Sequence, residues 1–383
     1  MIKIALLGST GSIGRQVLNV AERYSEKFRI VSMAAGSNAA LFEKQINKFK
    51  PEIATIRNPA DLYKITEIPK ETSLFYGENA LLHAVTEEAD IVVAAVTGYA
   101  GLKAVKAAIE MKKNVALANK ETLVAGGSVI MPLAEKNGVK IIPVDSEHSA
   151  IWQCLDFNEE KKFRKLIITA SGGAFRDLKK ADLKKVTAAD ALRHPNWLMG
   201  NKITIDCATM MNKGFEVIEA MWLFNAAPKD IEVLIHPQSL IHSMVEFDDG
   251  AILAQLGVPS MELPIQLALT YPERLNTFLN PLSLAGKTLE FKEVDRDFYP
   301  CFRLAEQAAC EGDNYPCALS AADEVAVSEF LAGRIKFTDI ARVAEYVLEK
   351  TGRLAVNFES LDYTDEKARK TAAEYCLKEC KRV

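Results

Sequence analysis

Two carboxylates separated by one residue, in Pro143-Val144-Asp145-Ser146-Glu147-His148-Ser149, are the groups in this chain best spaced for chemistry. An apolar run, Val139 to Val144, leads into them. Side chains two apart on a strand share a face. The spacing therefore predicts that Asp145 and Glu147 point together from a strand's carboxyl end, the edge at which open parallel α/β sheets hold their ligands. Carboxylates that close repel unless a cation or proton lies between them. Oxygen donors with no cysteine beside them favour Mg²⁺ or Mn²⁺ over Zn²⁺. The bare spacing fits a solvated acidic turn as well, so its meaning rests on what precedes and follows it.

Before it, Ile2 to Leu7 is an apolar run ending in Gly8-Ser9-Thr10-Gly11-Ser12-Ile13-Gly14, and helical periodicity follows over Arg15 to Tyr24. In this strand, glycine loop and helix, Gly8 serves the turn, Gly11 the close approach of a pyrophosphate and Gly14 the packing of helix on strand. Backbone N–H groups at the helix start attract phosphate. The next strand, Phe28 to Ala34, ends in Ala35-Gly36-Ser37-Asn38 without the acidic residue that would hold an NAD ribose. Ser37 and Asn38 can hydrogen-bond a 2′-phosphate instead, which favours NADP although no arginine accompanies them. Asn119-Lys120-Glu121 follows the strand Val115 to Ala118 and sets an amide, a cation and a carboxylate at the nicotinamide half of the crevice, or else forms an ordinary charged first turn of a helix.

After the acidic pair, a helix over Ala150 to Leu155 leads to the strand Leu166 to Ala170 and Ser171-Gly172-Gly173, which can present a hydroxyl and N–H groups to an anion or form a hairpin bend. Ala174 to Gly200 is charged and ends Arg193-His194-Pro195-Asn196-Trp197-Leu198-Met199-Gly200, a composition suited to a lid that excludes water, or to a loop pinned to the core by Trp197. Asn212 and Lys213 offer an amide and a cation to a phosphate. Glu216, near the start of an apolar helix over Val217 to Phe224, offers a third carboxylate. Asp145, Glu147 and Glu216 would make a divalent site with room for two substrate oxygens.

The elements that must position these groups follow from periodicity. Strands at Ile53 to Ile56, Ile91 to Val96 and Val115 to Ala118 alternate with helical segments such as Gly101 to Lys112, which predicts a parallel sheet. Ile231 to Ile235, Ser243 to Phe247 and Ala251 to Leu256 predict a second, partly antiparallel sheet, and Glu262 to Tyr271 a helix. Leu282 to Pro300 reads as a connector. Phe302 to Glu311, Cys317 to Ala332, Thr338 to Glu349 and Thr364 to Lys381 read as a helical bundle.

Composition excludes several classes. The chain has 383 residues, 49% hydrophobic and 26% charged, enough for two or three domains with a large core. A net charge of −4 argues against a general nucleic-acid binder, which needs a basic face. Seven cysteines without a CxxC pair indicate neither a zinc knuckle nor a disulfide framework, and reduced cytoplasmic thiols are expected. No signal peptide, transit segment or membrane span is expected.

The ordered runs GSTGSIG, ANKE, PVDSEHSA, SGGAFR, RHPNWLMG, DCATMMNKGFE and HPQSLIHSMVEF make the chain resemble the 1-deoxy-D-xylulose 5-phosphate reductoisomerase family essentially end to end. The resemblance implies an α/β protein with a Rossmann-like parallel-sheet NADPH domain (1–149) and an α+β catalytic and dimerisation domain with a lid (150–285). A linker (286–300) and a C-terminal four-helix bundle (301–383) would follow, in a homodimer. It implies NADPH contacts at Thr10, Gly11, Ser12, Ile13, Gly36, Ser37, Asn38, Asn119, Glu121 and Gly200, and Mg²⁺ or Mn²⁺ on Asp145, Glu147 and Glu216. Lys120, Ser146 and Glu147 would meet substrate oxygens. Ser171, Cys207, Asn212 and Lys213 would face the phosphate, with His194 on the lid. Lys120, Asp145, Glu147, His194 and Glu216 form the implied catalytic set. The implied reaction converts a ketose phosphate to 2-C-methyl-D-erythritol 4-phosphate in the non-mevalonate isoprenoid pathway. Two positions depart from the family pattern: Cys207 replaces a serine with a weaker, longer donor, and Ala174 replaces a proline after Ser-Gly-Gly. The alternatives are another NADP-dependent dehydrogenase of a small phosphorylated or carboxylated substrate, which in its semialdehyde form needs a nucleophilic cysteine such as Cys154, and a catalytically silent NADP-binding regulator.

Overall fold

A computed structural model describes residues 1–158, 162–193 and 199–380. The described chain divides into two compact units. The first comprises Met1–Thr122, Ile130–Ser146 and Met261–Thr277, and the second comprises Leu123–Val129, Glu147–Ser260 and Phe278–Val383.

The first unit is built on a seven-stranded parallel sheet of β1 (Ile2–Leu7), β2 (Phe28–Ala35), β3 (Ile53–Ile56), β4 (Ser73–Tyr76), β5 (Ile91–Ala94), β6 (Asn114–Leu117) and β7 (Ile141–Pro143). Its order is β4-β3-β2-β1-β5-β6-β7. The helices are α1 (Ser12–Arg23), α2 (Ala39–Phe49), α3 (Pro59–Leu62), α4 (Ala80–Ala84), α5 (Ala100–Glu110) and α6 (Lys120–Asn137), with α11 (Glu262–Thr270) returning later in the chain. Ile4, Ala5, Leu6 and Leu7 are all fully buried, because helices on both faces of a parallel sheet require strands without alternation. The chain winds outward from β1 through β4 and then restarts at β5 on the other side of β1. The loops after β1 and β5 therefore flank the topological switch point at which such sheets bind ligands.

The second unit carries α7 (Ser146–Cys154) and a five-stranded mixed sheet ordered β11-β10-β8-β9-β12. Its strands are β8 (Lys165–Ala170), β9 (Ile231–Ile235), β10 (Ile241–Glu246), β11 (Ile252–Leu256) and β12 (Lys292–Glu293). Among the described residues of this sheet, β8 and β9 alone pair in parallel, in register from Leu166↔Ile231 to Ala170↔Ile235. Helices α8 (Ala188–Ala191), α9 (Asn201–Thr209) and α10 (Met211–Leu223) follow β8. Four further helices close the chain: α12 (Pro300–Glu311), α13 (Tyr315–Leu331), α14 (Asp339–Lys350) and α15 (Phe358–Glu379). Their core is rich in alanine, with Ala318, Ala321, Ala322 and Ala326 fully buried on α13, so neighbouring helices approach closely. Gly214 on α10 packs so tightly on Ala305 of α12 that a Cβ there would collide with it. No described helix is long and apolar enough to cross a membrane.

Candidate active site

At the switch point the glycine loop is shaped as its spacing predicts. Gly8 has φ +93°, and a Cβ there would strike the Ala95 carbonyl of the loop after β5. A Cβ on Gly14 would run into the Gly8 carbonyl and Ser9 Cα, so only glycine lets α1 start this close to β1. Gly11 occupies the N-cap of α1 without a side-chain hydrogen bond, and the first turn holds no acidic residue. The helix start thus presents backbone donors without a competing carboxylate, a fit for a pyrophosphate. Gly36, Ser37 and Asn38 are exposed after β2. Asn38 Oδ1 accepts from the Leu41 N–H at 3.2 Å to cap α2, so its amide NH₂ is the group suited to meet a phosphate. We expect Gly14→Ala to weaken NADPH binding more than tenfold, with about 1–3 kcal/mol of overpacking strain; titration of cofactor fluorescence checks this.

Asn119 and Glu121 are both buried, and they hold the loop after β5. Asn119 Nδ2 donates to the carbonyls of Val96 at 3.1 Å and Gly98 at 3.2 Å and to Glu121 Oε2 at 2.7 Å, while Thr122 Oγ1 donates to Asn119 Oδ1. A cofactor role for this pair therefore includes fixing the loop that faces the switch point. Lys120 pairs with Asp145 through its ammonium, and both side chains are largely buried.

The acidic pair is placed by a different element from the one its spacing suggests. The strand β7 stops at Pro143, and Ser146 already begins α7, so Glu147 lies in the first turn of a helix rather than on a strand with Asp145. A carboxylate in a first turn is favoured by the helix dipole, and that preference outweighs the strand pattern here. Around this segment, one oxygen each from Asp145, Glu147 and Glu216 falls within 4.8 Å of the others.

Glu216 comes from α10, which begins at Met211, six residues before the apolar run that marks it in the sequence. From Met211 to Ala220 this helix is buried throughout, including Asn212, Lys213, Glu216 and Glu219. Burying such groups costs several kcal/mol each unless they are partnered. Lys213 Nζ donates to Glu147 Oε1 at 2.8 Å and pairs with Glu216 Oε2, and Asn212 Nδ2 donates to Glu216 Oε1 at 2.6 Å. The ammonium thus sits where a cation would sit, bridging two carboxylates, and Asn212 Oδ1 is buried with no hydrogen-bond partner. An all-oxygen set around a stand-in cation fits Mg²⁺ or Mn²⁺.

His148 and Glu219 were not singled out in the sequence and belong to the same neighbourhood. His148 is fully buried, its Nε2 lies 2.9 Å from the Glu216 carbonyl oxygen, and its Nδ1 lies 3.9 Å from Glu219 Oε2. The only signal for them was their position beside the D-S-E run and on the helix of Glu216.

Ser171 follows β8, and its Oγ accepts from the Gly173 N–H at 3.2 Å. Gly173, at φ +71°, lies so close to the Cys207 carbonyl and Ala208 Cα that a Cβ would clash, which brings the Ser-Gly-Gly turn against α9 and its Cys207. Burial pushes the Cys207 thiol well above its ordinary range, so it is an S–H donor and not a thiolate. Ala174 packs against the core of the second unit. Gly200 forms the N-cap of α9. His194 and residues 195–198 of the expected lid lie outside the described residues.

Sequence profiles for 1-deoxy-D-xylulose 5-phosphate reductoisomerase match residues 4–127, and profiles for its C-terminal domains match residues 141–224 and 256–371. A protein of that name from Ruminiclostridium cellulolyticum is 49% identical over 358 residues, covering 91% of this chain and 92% of its own. The chain belongs to the 1-deoxy-D-xylulose 5-phosphate reductoisomerase family. The reductoisomerase of Trichlorobacter lovleyi is 47% identical and covers 98% of both chains. A crystal structure of a reductoisomerase in complex with NADPH, fosmidomycin and magnesium superposes with a TM-score of 0.94 at 37% identity, covering 99% of this chain and 100% of that one. The Zymomonas mobilis reductoisomerase in complex with NADPH gives a TM-score of 0.90 at 38% identity, covering 98% of this chain and 99% of its own. Against this reductoisomerase background the nucleophilic-cysteine alternative finds no footing: Cys154 is buried on α7, and burial raises the thiols of Cys301 and Cys317 as it does that of Cys207.

Proposed function

We propose that this chain catalyses the NADPH- and divalent-metal-dependent rearrangement and reduction of 1-deoxy-D-xylulose 5-phosphate to 2-C-methyl-D-erythritol 4-phosphate. The observation that carries the reading is the buried helix α10, whose Lys213 ammonium bridges Glu216 and Glu147 while Asn212 donates to Glu216. Asp145, Glu147 and Glu216 would hold the cation. Bound there, it would supply Lewis-acid polarisation of a carbonyl and its neighbouring hydroxyl, and NADPH would supply the hydride.

The protein's own groups bind and orient. Ser171, Cys207, Asn212 and Lys213 are assigned to the phosphate, and Ser146 and Lys120 to the sugar oxygens. Lys213, whose ammonium bridges Glu147 and Glu216, would be available to the phosphate dianion were those carboxylate oxygens to hold the cation instead. His148 steadies the Glu216 backbone through its carbonyl. His194 and the segment to Gly200 are assigned to closure over the site, which keeps water from the reacting atoms. The four-part division at 149, 285 and 300, assembly as a homodimer and a cytoplasmic location complete the proposal.

An assay that follows NADPH absorbance with 1-deoxy-D-xylulose 5-phosphate tests it. Oxidation that stops on chelation and resumes with Mg²⁺ or Mn²⁺ supports the reading, and no oxidation under any of these conditions defeats it. Because Cys207 serves as a neutral donor, Cys207→Ser should give an equal or lower KM for substrate; a KM several-fold higher would show that the thiol has a role of its own.

A further inference from the structure

The Ser171-Gly172-Gly173 turn is held from behind by two side chains that none of the site assignments uses. Arg176 Nη1 donates to the Ser171 carbonyl at 2.9 Å and to the Pro237 carbonyl at 3.4 Å. The Tyr299 hydroxyl, buried, donates to the Gly172 carbonyl at 2.9 Å. A peptide is planar, with its C=O and N–H pointing opposite ways. Fixing the Ser171 carbonyl therefore fixes where the Gly172 N–H points, and fixing the Gly172 carbonyl does the same for the Gly173 N–H. The Gly173 N–H in turn donates to Ser171 Oγ, so the serine hydroxyl accepts there and keeps its proton to donate elsewhere. Gly172 at φ +80° and Gly173 at φ +71° adopt the left-handed region, and the two carbonyl contacts hold them in it.

We propose that Arg176 and Tyr299 are positioning residues that aim this turn at the substrate phosphate: Arg176 directs the Gly172 N–H, and Tyr299, through the Gly173 N–H that donates to Ser171 Oγ, directs the Ser171 hydroxyl. The inference rests on the reductoisomerase reading and on Ser171 as a phosphate ligand. Burial raises the Tyr299 phenol far above its ordinary range against the opposing charge of Arg176, so the hydroxyl remains a donor at every working pH. Its ring packs edge-on against Phe298, a contact that Tyr299→Phe leaves in place.

The test uses the full-length enzyme and three variants, Tyr299→Phe, Arg176→Met and Arg176→Lys. It reads substrate KM and kcat, the inhibition constant of inorganic phosphate, NADPH affinity and melting temperature. Tyr299→Phe and Arg176→Met should raise both KM and the phosphate inhibition constant about tenfold, the size expected for one misdirected hydrogen bond to a charged group. Turnover at saturation and NADPH affinity should stay near wild type, and Arg176→Lys should recover part of the loss. An unchanged phosphate constant in Tyr299→Phe and Arg176→Met overturns the proposal whether or not their melting temperature falls, since the two side chains would then be structural pins alone. If the wild-type enzyme fails to turn over 1-deoxy-D-xylulose 5-phosphate, the functional reading itself fails.

Discussion

Glu216→Gln should lower kcat by about a thousandfold while leaving NADPH affinity at its wild-type value. The substitution keeps the shape of the side chain and both of its heavy-atom positions, so α10 retains its packing. What it removes is one formal charge from a residue that is 1% exposed and whose two oxygens are engaged by Asn212 and Lys213. A cation held by two carboxylates and an amide instead of three carboxylates would bind more weakly and out of its working position, and loss of the several kcal/mol that such a cation contributes to a transition state corresponds to about three powers of ten. The nucleotide loop lies in the first unit and contains none of these groups, which is why its affinity should not move. Steady-state kinetics with saturating Mg²⁺, alongside cofactor titration, separates the two effects.

The second large effect concerns stability. In Lys213→Met the ammonium that bridges Glu147 and Glu216 is gone, leaving the buried Glu216 and its half-buried neighbour facing each other. Breaking a buried ion pair from one side costs about 3–5 kcal/mol. The metal-free variant should therefore melt several degrees below wild type. Mg²⁺ or Mn²⁺ should restore more of that loss in the variant than it adds to wild type, because the ion then supplies the positive charge that the Lys213 ammonium brought to these carboxylates. Thermal melts with and without metal check this; equal metal-induced shifts in the two proteins would show that the ammonium and the cation do not share a position.

Much of the fold was legible because local pattern and tertiary role agree. The apolar run Ile2 to Leu7 and the glycines at 8 and 14 specify a buried strand and a close helix start wherever they occur, and the structure uses them so. The missed edge strand β4 is the opposite case: Ser73–Tyr76 is mostly exposed and lacks the apolar run that marks its buried neighbours. Where capping carries the signal, apolar periodicity places a helix start too far along the chain. Helix α15 begins at Phe358, six residues before Thr364, because Asn357 and Ser360 cap it reciprocally.

The same reason explains the site. Asp145 and Glu147 were identified by type, but their convergence comes from a strand-to-helix turn and not from strand alternation. Met211-Asn212-Lys213-Gly214 reads as polar and glycine-broken, so its burial in α10 is visible only once Gly214 is seen against Ala305. His148 and Glu219 carry no pattern at all, since their neighbours are set by the packing of α7 against α10 through the Glu216 carbonyl. The return of Met261–Thr277 to the first unit likewise has no local signature.

The central claim is that Asp145, Glu147 and Glu216 together bind one divalent ion. Counting Mn²⁺ bound to the purified protein by electron paramagnetic resonance, in wild type and in Glu216→Gln, tests it most directly. The account predicts one tightly bound Mn²⁺ per wild-type chain, displaced by Mg²⁺, and none in the variant at the same free concentration. Equal occupancy in the two proteins would contradict it.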